Sequence, residues 1–176
     1  MNKIIIPILL ATGRANRQSE KVAKYVLVQA LIHGFDSELV DVRNFATPVT
    51  IEPEREDPLG LKWSAIVRRM NGLIIVAPEY NSGYPGELKV LLDKSYEEYR
   101  LKPVAICGVS SGDFGGARMV EHLRPVLVRL GMLPLQTSVY FSNVKELFNE
   151  QGEIQDKTFA RKMEKLFAEL LKYLSV

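Results

Sequence analysis

The sequence predicts a doubly wound α/β fold: a five-stranded parallel sheet with helices on both faces. Two observations predict it. Continuous apolar runs, rich in β-branched residues, recur along the chain, and helical patterns stand between them. A length of 176 residues is enough for one domain, 1–176, with a full core.

The first strand is Ile4 to Leu10. A helix follows over Ser19 to Ile32, with Val22, Ala23, Val26, Leu27, Ala30 and Leu31 on one face, and Gly34 ends it. Glu38 to Val42 forms a second strand. Residues 44–58 carry three prolines and many charges and read as a surface loop. Leu61 to Met70 is a short helix, and Leu73 to Ala77 is the third strand. Pro85 sits at the favoured first position of the next helix, whose stripe is Leu88, Leu91, Leu92, Tyr96 and Tyr99. Val104 to Val109 is the fourth strand, and Gly116 to Leu130 a helix kinked by Pro125. Leu133 to Tyr140 is the last strand, and Thr158 to Leu174 the closing amphipathic helix. Five strands with right-handed crossovers fit the order 2-1-3-4-5, a flavodoxin-like three-layer sandwich.

Composition narrows the function. A net charge of +2 disfavours a strongly nucleic-acid-binding surface. The single cysteine, Cys107, excludes an internal disulfide framework and a CxxC redox pair, and two histidines without HExxH give a metal site little to build on. No apolar run approaches the ~18 residues of a membrane span, so the expectation is a cytoplasmic domain with no membrane partner. The N-terminal run loosely mimics a short signal peptide, but Pro7, the β-branched residues and the glycine turn after them describe a buried strand.

In such a sheet a ligand sits beyond the carboxyl ends of the strands, where the order reverses. Three loops are therefore expected to carry function. The first, Ala11 to Glu20, opens a helix whose free N–H groups and partial positive charge attract phosphate. Thr12 and Ser19 add hydroxyls, and Arg14 and Arg17 add charge; a polar loop with Ser19 as a plain N-cap is the bland alternative. A Walker lysine pattern and GxGxxG are both absent, which argues against a nucleoside triphosphatase and a standard dinucleotide site. The second loop, Pro78 to Gly86, has two fixed prolines and two tyrosines that can frame a planar heterocycle, or form an ordinary turn. The third, Ser110 to Gly116, has three glycines that allow close approach to a ligand, or simply tight packing.

Taken together, the loops resemble the NADPH-dependent FMN reductase family, which includes quinone, azo-dye and chromate reductases. Thr12, Arg14 and Ser19 hold the places of its first-loop motif. Its Pro-Glu-Tyr-Asn signature is Pro78-Glu79-Tyr80-Asn81, continued by Pro85-Gly86-Glu87-Leu88-Lys89 and Asp93. Its Gly-Gly-x-Arg turn is Gly115-Gly116-Ala117-Arg118, followed by Leu123-Arg124. Three positions depart from the pattern: Ala11 for glycine, Gly83 for serine and Val90 for asparagine.

The resemblance implies FMN as cofactor and NADPH or NADH as donor. Thr12, Arg14, Ser19 and the N–H groups of Glu20 and Lys21 would hold the phosphate. Pro78, Glu79, Tyr80 and Asn81 would line the isoalloxazine ring, and Ser110, Ser111, Gly112 and Gly115 would close its other edge. Arg17 is the candidate for an NADPH 2′-phosphate, against a merely solvated arginine. No acid–base side chain is required, because the flavin carries the chemistry. The resemblance further implies a small-molecule electron acceptor and a homodimer or homotetramer. Tyr84, Tyr96 and Tyr99 are candidate subunit contacts, or pack on their own sheet. Two other classes compete. An electron-carrier module serving a protein partner would usually be strongly acidic, unlike this chain. A receiver-type regulatory domain would need acidic residues where Ile8 to Ala11 stand.

Overall fold

A computed structural model describes residues 3–49 and 57–174. Its five strands are β1 (Ile8–Leu10), β2 (Leu39–Asp41), β3 (Leu73–Pro78), β4 (Pro103–Val109) and β5 (Leu133–Phe141). They form one sheet of order β2-β1-β3-β4-β5, and each neighbouring pair is parallel. The helices are α1 (Ser19–Ile32), α2 (Pro58–Arg69), α3 (Gly86–Leu92), α4 (Ala117–Arg129), α5 (Val144–Leu147) and α6 (Thr158–Leu174). The expected α/β sandwich and strand order are those observed.

The strands alternate their side chains between two cores. Ile8, Leu10, Ile74, Val76, Ala105 and Cys107 pack against α1 and α6. Leu9, Ala11, Ile75, Ala77, Val104 and Ile106 pack against α2, α3 and α4. Burial on both faces explains why the strands read as continuous apolar runs rather than alternating ones.

Several boundaries differ from expectation, each for a local reason. The ladder of β1 begins only after Pro7, which has no N–H to donate; Ile5 still bridges Asp36, so the chain is extended but irregular before it. Pro58 belongs to α2, not to the loop: Asp57 caps the helix by accepting the Leu59 N–H at 3.1 Å, and Pro58 is its first residue. Asn44 and Phe45 close a short 3-10 turn with Phe45 buried, and residues 50–56 of that expected loop lie outside the described residues. Pro85 is the N-cap of α3 rather than its first turn, and α3 ends at Leu92. Tyr99 then lies in a separate 3-10 turn, fully buried, and accepts a hydrogen bond from Trp63 Nε1 at 2.5 Å. It packs in its own core and is not a subunit contact, whereas Tyr96 is half exposed. Leu31 also lies outside the buried face of α1. α4 continues through Pro125, and the four-residue α5 carries too short a pattern to be anticipated.

Candidate flavin site at the ends of β1, β3 and β4

Two side-chain links join the three predicted loops into one rim. Thr12, fully buried at the end of β1, has its Oγ1 3.0 Å from the Tyr80 hydroxyl, which ties the first loop to the second. Glu79 ties the second to the third. Its carboxylate accepts from Arg118 Nε at 2.7 Å and from the Met119 N–H at 3.5 Å, capping the start of α4. The strand order brings these loops together, because β1, β3 and β4 are consecutive in the sheet.

The first loop turns sharply. Arg14 N–H donates to Thr12 Oγ1 at 3.3 Å, and Asn16 takes a positive φ of 52°. The Arg14 side chain lies outward, its guanidinium carbon 5.9 Å from the centre of the Tyr80 ring. Ser19 opens α1 with its hydroxyl buried and unpartnered, so it is not the side-chain cap that the bland reading required. The N–H groups of Glu20 and Lys21 close back on the Arg17 and Gln18 carbonyls at 3.3 and 3.1 Å, and these amides are therefore already engaged. Glu20 also pairs with Lys24 at 2.9 Å.

Arg17 corrects an expectation. It is neither solvated nor available to a 2′-phosphate: its side chain is 2% exposed and forks onto both oxygens of Asp41, while Nη1 also donates to the Thr12 carbonyl. β2 lies beside β1, so Asp41 at its carboxyl end faces the loop that Arg17 occupies. Arg43 grips the same carboxylate from outside at 2.6 Å. Asp41 was the missed signal, an acidic side chain closing the strand that neighbours the first loop.

The second loop is a tight reversal. Tyr80 and Gly83 exchange both backbone hydrogen bonds at 2.9 Å, and Asn81 and Ser82 have φ of 48° and 65°. Two successive left-handed residues define a type I′ turn, which holds Asn81 at an exposed tip. Pro78 ends β3, and Glu79 N–H donates to Val109 O at 2.9 Å.

The third loop splits into an open half and a packed half. Ser111 and Gly112 are exposed, while Ser110 Oγ donates to the Gly112 carbonyl at 2.8 Å. Gly115 faces the protein: a Cβ there would lie 2.7 Å from Tyr140 Cβ. For Gly115 the tight-packing alternative describes what is seen.

Sequence reasoning missed Glu87. Its Oε1 accepts the Gly13 N–H at 2.6 Å and the Thr12 hydroxyl at 3.0 Å. Cys107, by contrast, is inert: complete burial pushes its thiol up to about 12, so no thiolate is available near neutral pH.

The sequence profile of NADPH-dependent FMN reductases matches residues 5–146, which span all three loops. The chain belongs to the NADPH-dependent FMN reductase family. Relatives agree with this. An NAD(P)H-dependent FMN reductase of Saccharomyces cerevisiae is 28% identical over 145 residues, covering 72% of this chain and 75% of the relative. A quinone reductase of Pseudomonas putida is 32% identical, covering 61% of each chain. The fold matches a flavoenzyme NAD(P)H:(acceptor) oxidoreductase of Paracoccus denitrificans with a TM-score of 0.82, at 18% identity, over 98% of this chain and 97% of that one. No helix among the described residues is long and apolar enough to cross a membrane.

This FMN reductase family member has residues that fit a flavin phosphate. Ser19 offers a buried hydroxyl without a partner at the start of a 14-residue helix. Thr12 and Gly13 already direct an O–H and an N–H at an anionic oxygen.

Proposed function

We propose that this protein binds FMN at the rim of the three loops and passes two electrons from NADPH or NADH to small acceptors such as quinones. Azo compounds, chromate and ferric complexes belong to the same proposal. One observation carries it: the first loop turns the Thr12 hydroxyl and the Gly13 N–H onto an anionic oxygen and leaves the Ser19 hydroxyl at the start of α1 without a partner, with Tyr80 linking Thr12 to the Pro-Glu-Tyr-Asn loop. Bound FMN would supply hydride acceptance and two-electron transfer.

The residues have distinct tasks in this reading. Thr12, Arg14 and Ser19 bind the phosphate. Pro78 to Asn81 frame the ring, with the type I′ turn fixing where the exposed tip stands. Ser110, Ser111 and Gly112 border it from the β4 side. Arg17 and Glu79 hold the loops in place from within, Arg17 through Asp41 and Glu79 through Arg118. Glu20, Lys21 and Gly115 serve the start of α1 and the packing against β5 instead of the ligand. The proposal also covers a single unit over 1–176, a homodimer or homotetramer and a cytoplasmic setting.

Arg14→Ala tests this reading. Its side chain is exposed and its loss leaves the two cores untouched. The variant is expected to unfold like the parent yet bind FMN more weakly by about 1.5–3 kcal/mol, the range for charge-assisted hydrogen bonds. Riboflavin affinity is expected to stay unchanged. Flavin-fluorescence titration measures both, and equal losses for the two flavins would remove Arg14 from the phosphate site.

A further inference from the structure

Glu87 occupies two donors of the first loop. A backbone N–H and a hydroxyl converge on its Oε1, from Gly13 at 2.6 Å and Thr12 at 3.0 Å, which is how a loop grips an anion. The two donors follow directly on β1, but Glu87 comes from the first turn of α3, on the sheet face opposite α1. Gly13 is the meeting point: a Cβ built there would lie 3.5 Å from Arg43 Cγ and 3.7 Å from Glu87 Oε1. Two nearby cations are engaged by other carboxylates, Arg43 by Asp41 and Lys89 by Asp93, while the Arg14 guanidinium lies over the Tyr80 ring.

The hydrogen-bond count makes the arrangement exclusive. Gly13 has one N–H. Thr12 has one O–H, and its oxygen already stands as acceptor for the Arg14 N–H at 3.3 Å. A phosphate that uses these two donors must take them from Glu87, and a phosphate that does not must tolerate a carboxylate beside it. Either way, like charges oppose each other at close range.

We infer that Glu87 is an internal anion that competes with the FMN phosphate for Gly13 and Thr12, and that its displacement sets the affinity for FMN relative to riboflavin. The inference rests on the FMN reading above. It makes Glu87 an affinity and specificity determinant built into the Pro-Gly-Glu-Leu-Lys segment.

The test is Glu87→Gln in the full chain, stripped of flavin and titrated with FMN and with riboflavin. Glutamine keeps an oxygen for the same two donors and removes the charge. FMN binding is expected to tighten about tenfold while riboflavin binding stays within about twofold. Unchanged or weakened FMN binding, or equal tightening for both flavins, would overturn the inference. Should the variant fold poorly, the parent protein answers independently through its Gly13 amide resonance. FMN is expected to shift that resonance and riboflavin to leave it in place; an identical response to both would overturn the inference. If the parent protein shows no preference for FMN over riboflavin, the phosphate-site reading itself fails, and the inference with it. A parent that prefers FMN without the Glu87→Gln effect removes the inference alone.

Discussion

Arg17→Ala is expected to lower the unfolding free energy by about 1.5–3 kcal/mol, the range for hydrogen bonds to a charged group, because Arg43 still holds the Asp41 carboxylate. The Arg17 side chain is 2% exposed and that of Asp41 19%, so the carboxylate left behind is only partly reached by water. The Thr12 carbonyl also loses its donor. Acid reports on the same contact. Partial burial alone would raise the Asp41 carboxyl, but hydrogen bonds from Arg17 and Arg43 outweigh it and hold the group well below the usual carboxylate range. A depressed folded-state value stabilises the fold above the unfolded value of about 4, and the contribution fades as pH falls further. Urea denaturation followed by the single tryptophan, Trp63, should therefore show the parent losing this contribution as pH falls from about 5 to about 2. Arg17→Ala should start lower and lose less over that interval. A variant as stable as the parent would mean that the pair is dispensable, and would reopen Arg17 as a ligand contact.

Gly108→Ala should be comparably severe for a steric reason. A Cβ at Gly108 would lie 2.5 Å from the Gly115 carbonyl oxygen and 3.2 Å from that of Gly116. Both are backbone atoms at the entry to α4, where Gly116 takes a left-handed φ of 86° as the helix N-cap. Neither can rotate away as a flexible side chain could, so β4 and the third loop must separate. The expected cost is about 3 kcal/mol or more, at the upper end for overpacking. Gly112→Ala is the control, since nothing lies within 4 Å of a Cβ there. A thermal melt that leaves Gly108→Ala at the parent's midpoint would show that the loop packs less tightly than described.

Much of this arrangement was legible in the chain. Ile74, Ile75 and Val76 announce a strand buried on both faces, and the helical spacing from Val22 to Ala30 announces what covers one of them. Given strand order, Thr12, Tyr80 and Ser110 had to fall at one end of the sheet. What was not legible depends on pairings between distant segments. Arg17 and Asp41 are 24 residues apart and meet only because β2 lies beside β1. Glu87 and Gly13 are 74 apart, and nothing in the local pattern around either announces the other. Gly115 looked like a ligand contact because glycine permits close approach, and the approach it permits is to Tyr140. The Tyr96–Tyr99 part of the stripe failed because α3 stops at Leu92: Tyr99 is buried in a separate 3-10 turn, and Tyr96 precedes that turn half exposed.

Steady-state kinetics test the central claim most directly, that donor and acceptor use a single flavin site in turn. The one cysteine is buried and protonated, and no cluster of three or more His, Cys, Asp or Glu that could hold a metal occurs among the described residues. With one site for both substrates, the oxidised nicotinamide must leave before the quinone enters. Varying NADPH at several fixed quinone concentrations should therefore yield parallel double-reciprocal lines, and NADPH alone should bleach the flavin absorption anaerobically. Lines that intersect, together with a flavin band that NADPH cannot bleach until quinone is added, would require both substrates to be bound at once and would contradict the account.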